Sequence, residues 1–275
     1  FAGGGSIPLE AQRLGLEAHA SDLNPLAVLI NKALIEIPPK FTGMEPVHPG
    51  GNEQNIYQRA EGLAEDVRYY GQWMRDEAER RIGHLYPKAV APDGTEHTVI
   101  AWIWARTVKS PNPANPIETP LVNSWWLSKK KGHEAWVRAT VEDGRVHYEV
   151  VHNADGPTVD GTVGRKGAVS LADSTPIDLA YIRAEARAGR MGAHLIAVVA
   201  EGPRGRIYLP PTPEHADVAK LARPKDLPDA ELPEKALGFR VQNYGFKRWV
   251  DLFTNRQLIA LTTLSDLVTE AREQV

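Results

Sequence analysis

The chain opens on FAGGGSIPLEAQRLGLEAHASDLNPLAVLINKALIEIPPKF, residues 1–41, and the order of local signals in this stretch constrains the fold more than any other. Gly3, Gly4 and Gly5 make a turn that feeds a helix. Pro8 suits its first turn, where a missing N–H costs little, and Leu9, Ala11 and Leu14 give it apolar surface up to the turn at Gly15. Ala18 to Asp22 reads as a short strand and Leu26 to Leu34 as a strongly apolar helix. A loop, helix, strand and helix in that order are a fragment of a parallel α/β sheet.

Pro38 and Pro39 close this unit, and residues 40–56, rich in Gly, Pro and Asn, read as a loop or boundary. From Glu61 to Gly83 the apolar positions Leu63, Val67, Tyr70, Met74, Ala78 and Ile82 recur every three or four residues, which predicts a long amphipathic helix. The period drops to two at TVIAWIWARTV, residues 98–108, where Trp102 and Trp104 share a strand face and are expected in the core. Strand-like runs recur around Trp136 to Val141 and Val146 to Val151, with Asp143-Gly144 between them as a hairpin turn. Thr175 and Asp178 have capping-box spacing for a helix over Ile177 to Ala188. HLIAVVAEG and GRIYLPP, residues 194–202 and 205–211, read as two strands with a tight turn. Thr254 and Gln257 open a last helix with Leu258, Leu261, Leu264 and Val268 along one side. The expected organisation is an α/β part with its long helix at 1–95, a β-rich insertion at 96–175, and an α/β continuation at 176–275.

The 275 residues suffice for one large domain or a domain with an insertion. No apolar run approaches the roughly 20 residues of a membrane-spanning helix, so no membrane partner is expected. Zero cysteines exclude a disulfide framework, a thiolate nucleophile and a thiolate zinc site, which suits a cytoplasmic location. The first residues lack the form of a signal peptide, and the chain is expected to start inside a longer protein. At a net charge of −3, any nucleic-acid binding must come from a local patch.

Glycines at a strand-to-helix turn let a ligand approach the backbone without a Cβ clash, and the helix start offers unpaired N–H groups. Many α/β turns need glycine for steric reasons alone, so the loop by itself is weak evidence. No Gly-Lys-Ser/Thr follows, which excludes a nucleoside-triphosphate loop, and the full GxGxxG of a dinucleotide site is absent. Asp22, at the end of the next expected strand, is placed to accept hydrogen bonds from both ribose hydroxyls of an adenosine-containing ligand. Loop and acid together point to a nucleoside cofactor.

FAGGGSIPLEA followed by ASDLNPLAVLINKALIEIPPKF resembles the cofactor motif of S-adenosylmethionine-dependent DNA methyltransferases of the amino-methylating type. More specifically, it resembles the bacterial adenine-specific DNA methylases that carry the domain of unknown function DUF1156. The resemblance continues through IWARTVKSPNPANPIETPLVNSWWLSKKKG, RAEARAGRMGAHLIAVVAEGPRGRIYLPP and LGFRVQNYGFKRWVDLFTNRQLIALTTLSDLV. It implies a partial Rossmann-like methyltransferase sheet with a β-rich, degenerate zinc-ribbon-like insertion and flanking helices. It also implies S-adenosylmethionine as cofactor, DNA as substrate, adenine N6 as acceptor, and a setting in restriction-modification or phage defence with partner proteins of that system. Phe1, Gly3 and Gly5 would line the methionine and ribose side, Asp22 would hold the ribose hydroxyls, and Leu23 and Asn24 would lie near the adenine. An RNA guanine-N2 or DNA cytosine-N4 methyltransferase, or a non-catalytic binding module, remains an alternative.

Such enzymes carry out the transfer with an Asp/Asn-Pro-Pro-Tyr/Phe loop that accepts from the target amine and stacks on a flipped base. The Pro-Pro pairs here sit in Ile37-Pro38-Pro39-Lys40 and Leu209-Pro210-Pro211-Thr212, so no catalytic residue is assigned and the chain alone is expected to be inactive. Where relatives implied by the resemblance carry zinc-binding cysteines, this chain has Ser110, Asn115, Ser170 and Asp173, and no metal is expected. Trp125, Trp126 and Lys129, Lys130 and Lys131 combine aromatics with a basic run, a candidate patch for stacking on bases and contacting phosphates, or a half-buried Trp pair before a solvated turn. Arg183, Arg187 and Arg190 either meet phosphate or form an ordinary exposed helix face.

Overall fold

The helical signals of the first forty residues become α1 (Ser6–Arg13), α2 (Pro25–Asn31), a π turn over Lys32–Glu36, and α3 (Ile37–Lys40). The computed structural model describes every residue except 52–55, 235–237 and 239. Parts of the expected 40–56 loop and of the LGFRVQNYGF motif therefore lie outside the described residues. The helix does not stop at the prolines as expected. Ile37 donates to the Lys32 carbonyl in the wider π register just ahead of Pro38 and Pro39, which have no N–H to donate, and the helical path runs on to Lys40.

The described residues form two compact units, Phe1–Arg81 with Thr263–Val275, and Ile82–Thr262. In the first, α4 (Glu61–Ile82) is the predicted long helix, with Gly62 and Tyr70 buried while Val67 is 65% exposed. A Cβ at Gly62 would lie 2.2 Å from the Met44 carbonyl oxygen, so glycine lets the start of α4 approach that loop. Asp66, one turn further on, accepts from the Val47 and His48 N–H groups at 2.9 Å. Arg81 reaches both oxygens of Glu270 at 2.7 Å and also meets Glu77. The guanidiniums of Arg80 and Arg81 together pull the Glu77 carboxyl down to about 2.

The expected parallel sheet is not formed among the described residues. Ala18–Asp22 forms no strand and no ladder pairs with it; Ala2 N–H donates to the Ser21 carbonyl at 3.0 Å. Extended propensity is local, whereas a ladder needs a neighbour for its N–H and C=O groups. Leu16, Leu26 and Leu29, apolar residues around this stretch, are 61%, 60% and 64% exposed.

The second unit is built on antiparallel pairs. Its strands are β1 (Ala89–Val90), β2 (Glu96–His97), β3 (Val99–Lys109), β4 (Glu118–Pro120), β5 (Trp126–Ser128), β6 (Ala135–Glu142), β7 (Arg145–Val151), β8 (Val163–Gly164), β9 (Gly167–Val169), β10 (Pro176–Asp178), β11 (Gly192–Gly202) and β12 (Gly205–Leu209). A four-stranded sheet runs β12-β11-β3-β4, and three-stranded sheets run β5-β6-β7 and β10-β9-β8. β6 and β7 form the predicted hairpin, with Asp143 at φ 50° and Gly144 at φ 72°, the left-handed pair that a two-residue turn needs. β11 and β12 pair through Gly202 and Gly205 as expected. The pairings of β9 with β10 and of β3 with β11 cross the boundary expected at 175/176, so the insertion and its continuation share one hydrogen-bonded framework.

One face of β11 joins Trp125 and Val137 in a core cluster with Ile196 and Ala197, while Leu195, Val198 and Ala200 form another with Trp102 and Trp104 packed against it. The continuous apolar run of this strand is thus covered on both faces. The helix predicted from Ile177 starts later, as α5 (Leu179–Arg187), because Ile177 is taken by β10 and is 1% exposed. Asp178 is its N-cap without a side-chain cap bond. The short α6 (Pro213–Asp217) is capped by Thr212. α7 (Asn255–Gln274) opens on the predicted capping box, Thr254 N–H to Gln257 Oε1 at 2.9 Å and Gln257 N–H to Thr254 Oγ1 at 3.3 Å. Its expected stripe is displaced: Leu261, Leu264 and Val268 are 50%, 43% and 58% exposed, whereas Leu258, Leu267 and Ala271 are buried.

Candidate functional site

The opening loop is held by side chains as well as by its own backbone. Gly3 and Gly5 take φ of 51° and 81°, and Gly5 caps α1 in the left-handed region that a side chain disfavours. Gly5 N–H donates to the Ala2 carbonyl at 2.9 Å, closing the turn. Asp22 Oδ2 accepts from Gly3 N–H at 2.9 Å, and its Oδ1 accepts from Asn24 N–H at 2.9 Å. Asn24 in turn caps α2, its Oδ1 accepting from Leu26 N–H at 3.0 Å.

These bonds fix the charge state of the acid. The Asn24 and Gly3 amides hold the Asp22 carboxyl below its ordinary value of 3.8. A carboxylate has about four lone-pair sites, so each oxygen keeps acceptor capacity beyond its one amide. Asp22 also lines a cavity of about 610 Å³, with Ala2, Pro8, Ser21, Asn31 and Lys32 in its wall. A pre-oriented, ionised acid beside a glycine turn fits the ribose end of a nucleoside.

Hydrogen bonds tie Gly3, Asp22 and Asn24 to one another and Gly5 to the same turn, while Phe1 and Leu23 flank them with exposed side chains. Those side chains are 100% and 88% exposed, and of the six expected residues only Asp22 lines the cavity. Sequence reading missed Asn31. Its Nδ2 donates to the Gly3 carbonyl at 3.0 Å and to Ala27 at 2.8 Å, while its buried Oδ1 has no partner and would lie 2.8 Å from a Cβ at Gly5. A polar residue within the apolar run LAVLINKALI was the available signal.

The basic-aromatic candidate is reduced. Trp125 is 3% exposed within a core cluster, so its ring offers no face to a base. Trp126 lies under the Lys129 ammonium at 5.4 Å, and a Cβ at Gly156 would fall 2.3 Å from its ring. Lys129, Lys130 and Lys131 are all exposed. Of the three arginines on and after α5, Arg190 pairs with Glu185 at 2.6 Å and Arg183 lies over the Tyr244 ring.

Ser110 and Asn115, and Ser170 and Asp173, fall in two facing loops. Asp173 accepts from Asn112 at 2.7 Å and from Asn115 at 3.2 Å, while Ser110 and Ser170 accept from the Asn112 and Ala172 amides at 3.3 Å. Asp173 is held well below the usual carboxylate range, foremost by the Thr175 amide. Hydrogen bonds between oxygen and nitrogen groups tie these loops together.

Comparison with known proteins adds no counterpart. No family model, no curated protein and no solved structure matches the chain.

Proposed function

We propose that the chain carries the cofactor-binding part of an S-adenosylmethionine-dependent DNA amino-methyltransferase, with adenine N6 as acceptor. The observation that carries this reading is the Asp22 carboxylate, held ionised by the Gly3 and Asn24 amides at a glycine turn. On this reading residues 1–40 are the first loop, helix, strand and helix of a Rossmann-like methyltransferase sheet, and the apolar residues exposed around Ala18–Asp22 are the surface such a sheet covers.

Asp22 would accept from the two ribose hydroxyls and Gly3 would leave the backbone open beside the sugar, while Asn31 holds the turn in shape by gripping the Gly3 carbonyl. The bound cofactor supplies an electrophilic methyl group on its sulfonium. No loop lysine is needed, since no phosphate has to be neutralised. The transfer itself depends on positioning an amine in line with that methyl. The sequence contains no Asp/Asn-Pro-Pro-aromatic motif for this task; Pro38-Pro39 is helical and Pro210-Pro211 follows β12. The 275-residue chain therefore binds cofactor without turning over DNA. Calorimetric titration of wild type and Asp22→Ala with S-adenosylmethionine tests the reading.

A further inference from the structure

The second unit holds a relay of titratable groups that the cofactor loop does not use. Glu118 Oε2 accepts from Thr107 Oγ1 at 2.8 Å and lies 3.2 Å from His194 Nε2, and His194 Nδ1 lies 2.8 Å from the Tyr148 hydroxyl. A carboxylate only accepts, so in the neutral imidazole Nε2 carries the proton and Tyr148 donates to Nδ1. Burial and the Glu118 charge keep the phenol above its usual range, and hence protonated. Gly192 makes room for the arrangement: a Cβ there would lie 2.5 Å from Thr107 Oγ1 and 2.7 Å from Glu118 Oε2.

All three relay residues line a cavity of about 810 Å³ together with Trp104, Arg145 and Lys220. While His194 is neutral, Tyr148 gives its proton to Nδ1 and offers the cavity only lone pairs. Glu118 Oε1 has no partner among the described residues, so it too is an open acceptor. A ligand here must bring hydrogen-bond donors. Trp104 and Tyr148 give it aromatic walls. Arg145, with no ion pair among the described residues, and Lys220, shared with Asp217 at 2.7 Å, add positive charge.

We propose that this cavity is a nucleotide site that takes a base with an exocyclic amino group, the amine on Glu118 and Tyr148 and the phosphate on Arg145 and Lys220. Adenine, cytosine and guanine supply that donor; thymine, with a ring N–H but no exocyclic amine, binds more weakly. The site rests on the second unit alone, so failure of S-adenosylmethionine to bind at Asp22 leaves it untouched.

The test is titration of the 275-residue protein with dAMP, dCMP and TMP, and with short single strands of dA, dC and dT, followed by tryptophan fluorescence. Discrimination of dA and dC over dT by about tenfold supports the site, as free nucleotides if the monomers show it and as residues of a strand if the oligomers alone do. Glu118→Gln abolishes that discrimination. Arg145→Ala, an exposed hairpin change, weakens every ligand and lowers the salt slope by about one. Equal binding of all three bases, no saturable binding of any, or unchanged discrimination in folded Glu118→Gln overturns the proposal.

Discussion

Gly5 is where backbone and packing demands coincide. Its φ of 81° disfavours any side chain, and a Cβ would press on Asn31 at 2.8 Å. Gly5→Ala is expected to destabilise the first unit by roughly 1–3 kcal/mol, while Gly4→Ala, with nothing within 4 Å of its Cβ, is close to neutral in denaturant titration. The glycine turn and Asp22 were legible because three glycines and an acid at the end of the next segment are patterns of identity. Asn31 was not, because its value lies in reaching back 28 residues to the Gly3 carbonyl. Asp22 also sets a pH window. Its folded pKa lies below 3.8, so its contribution is present above that value and disappears as the pH falls through the lower folded one. Cofactor affinity is accordingly expected to be flat above pH 4 or so and to fall in stronger acid, as titrations along a pH series would show.

At the scale of elements, local period and capping predicted α4, α7 and the two hairpins, because those signals need only neighbouring residues. Which side of α7 is buried depends on what packs there, and so the stripe through Leu261, Leu264 and Val268 stayed outside while Leu267 went in. Trp102 behaves likewise: it was expected in the core, but its partners come from far along the chain. Its Nε1–H donates to His215 Nδ1 at 2.9 Å, and the Arg256 guanidinium sits 4.0 Å from its ring. Arg256 is 7% exposed and donates to the Leu85 carbonyl at 3.2 Å. Arg256→Ala is expected to cost about 2 kcal/mol or more, because a desolvated guanidinium no longer lies against the indole face; thermal unfolding of folded variants would measure it. Burial lowers the His215 pKa from 6.5, so its contribution is complete above 6.5 and shrinks as the pH falls below it. The lysine turn after β5 makes a separate prediction. If Lys129, Lys130 and Lys131 touch DNA, replacing all three by Ala lowers the slope of log affinity against log salt by about one for each phosphate no longer neutralised; an unchanged slope removes them from the interface.

For the whole molecule, the mixed α/β content was legible, but the expected division into three successive parts was not. Strand pairing is non-local: β3 finds β11 across more than eighty residues, as in Val99 opposite Ala200. The parallel sheet implied by the first forty residues is a relation between strands, and Ala18–Asp22 has no strand partner among the described residues. What survives is the turn with its acid already in place, and the proposed function stands on that turn. The direct measurement is calorimetry of S-adenosylmethionine with the 275-residue protein and its Asp22→Ala variant. One saturable site, weakened about tenfold or more (roughly 1.4 kcal/mol) in Asp22→Ala while the fold is retained, is the expected result. No saturable binding by the wild type, or equal affinity in the folded variant, would contradict it.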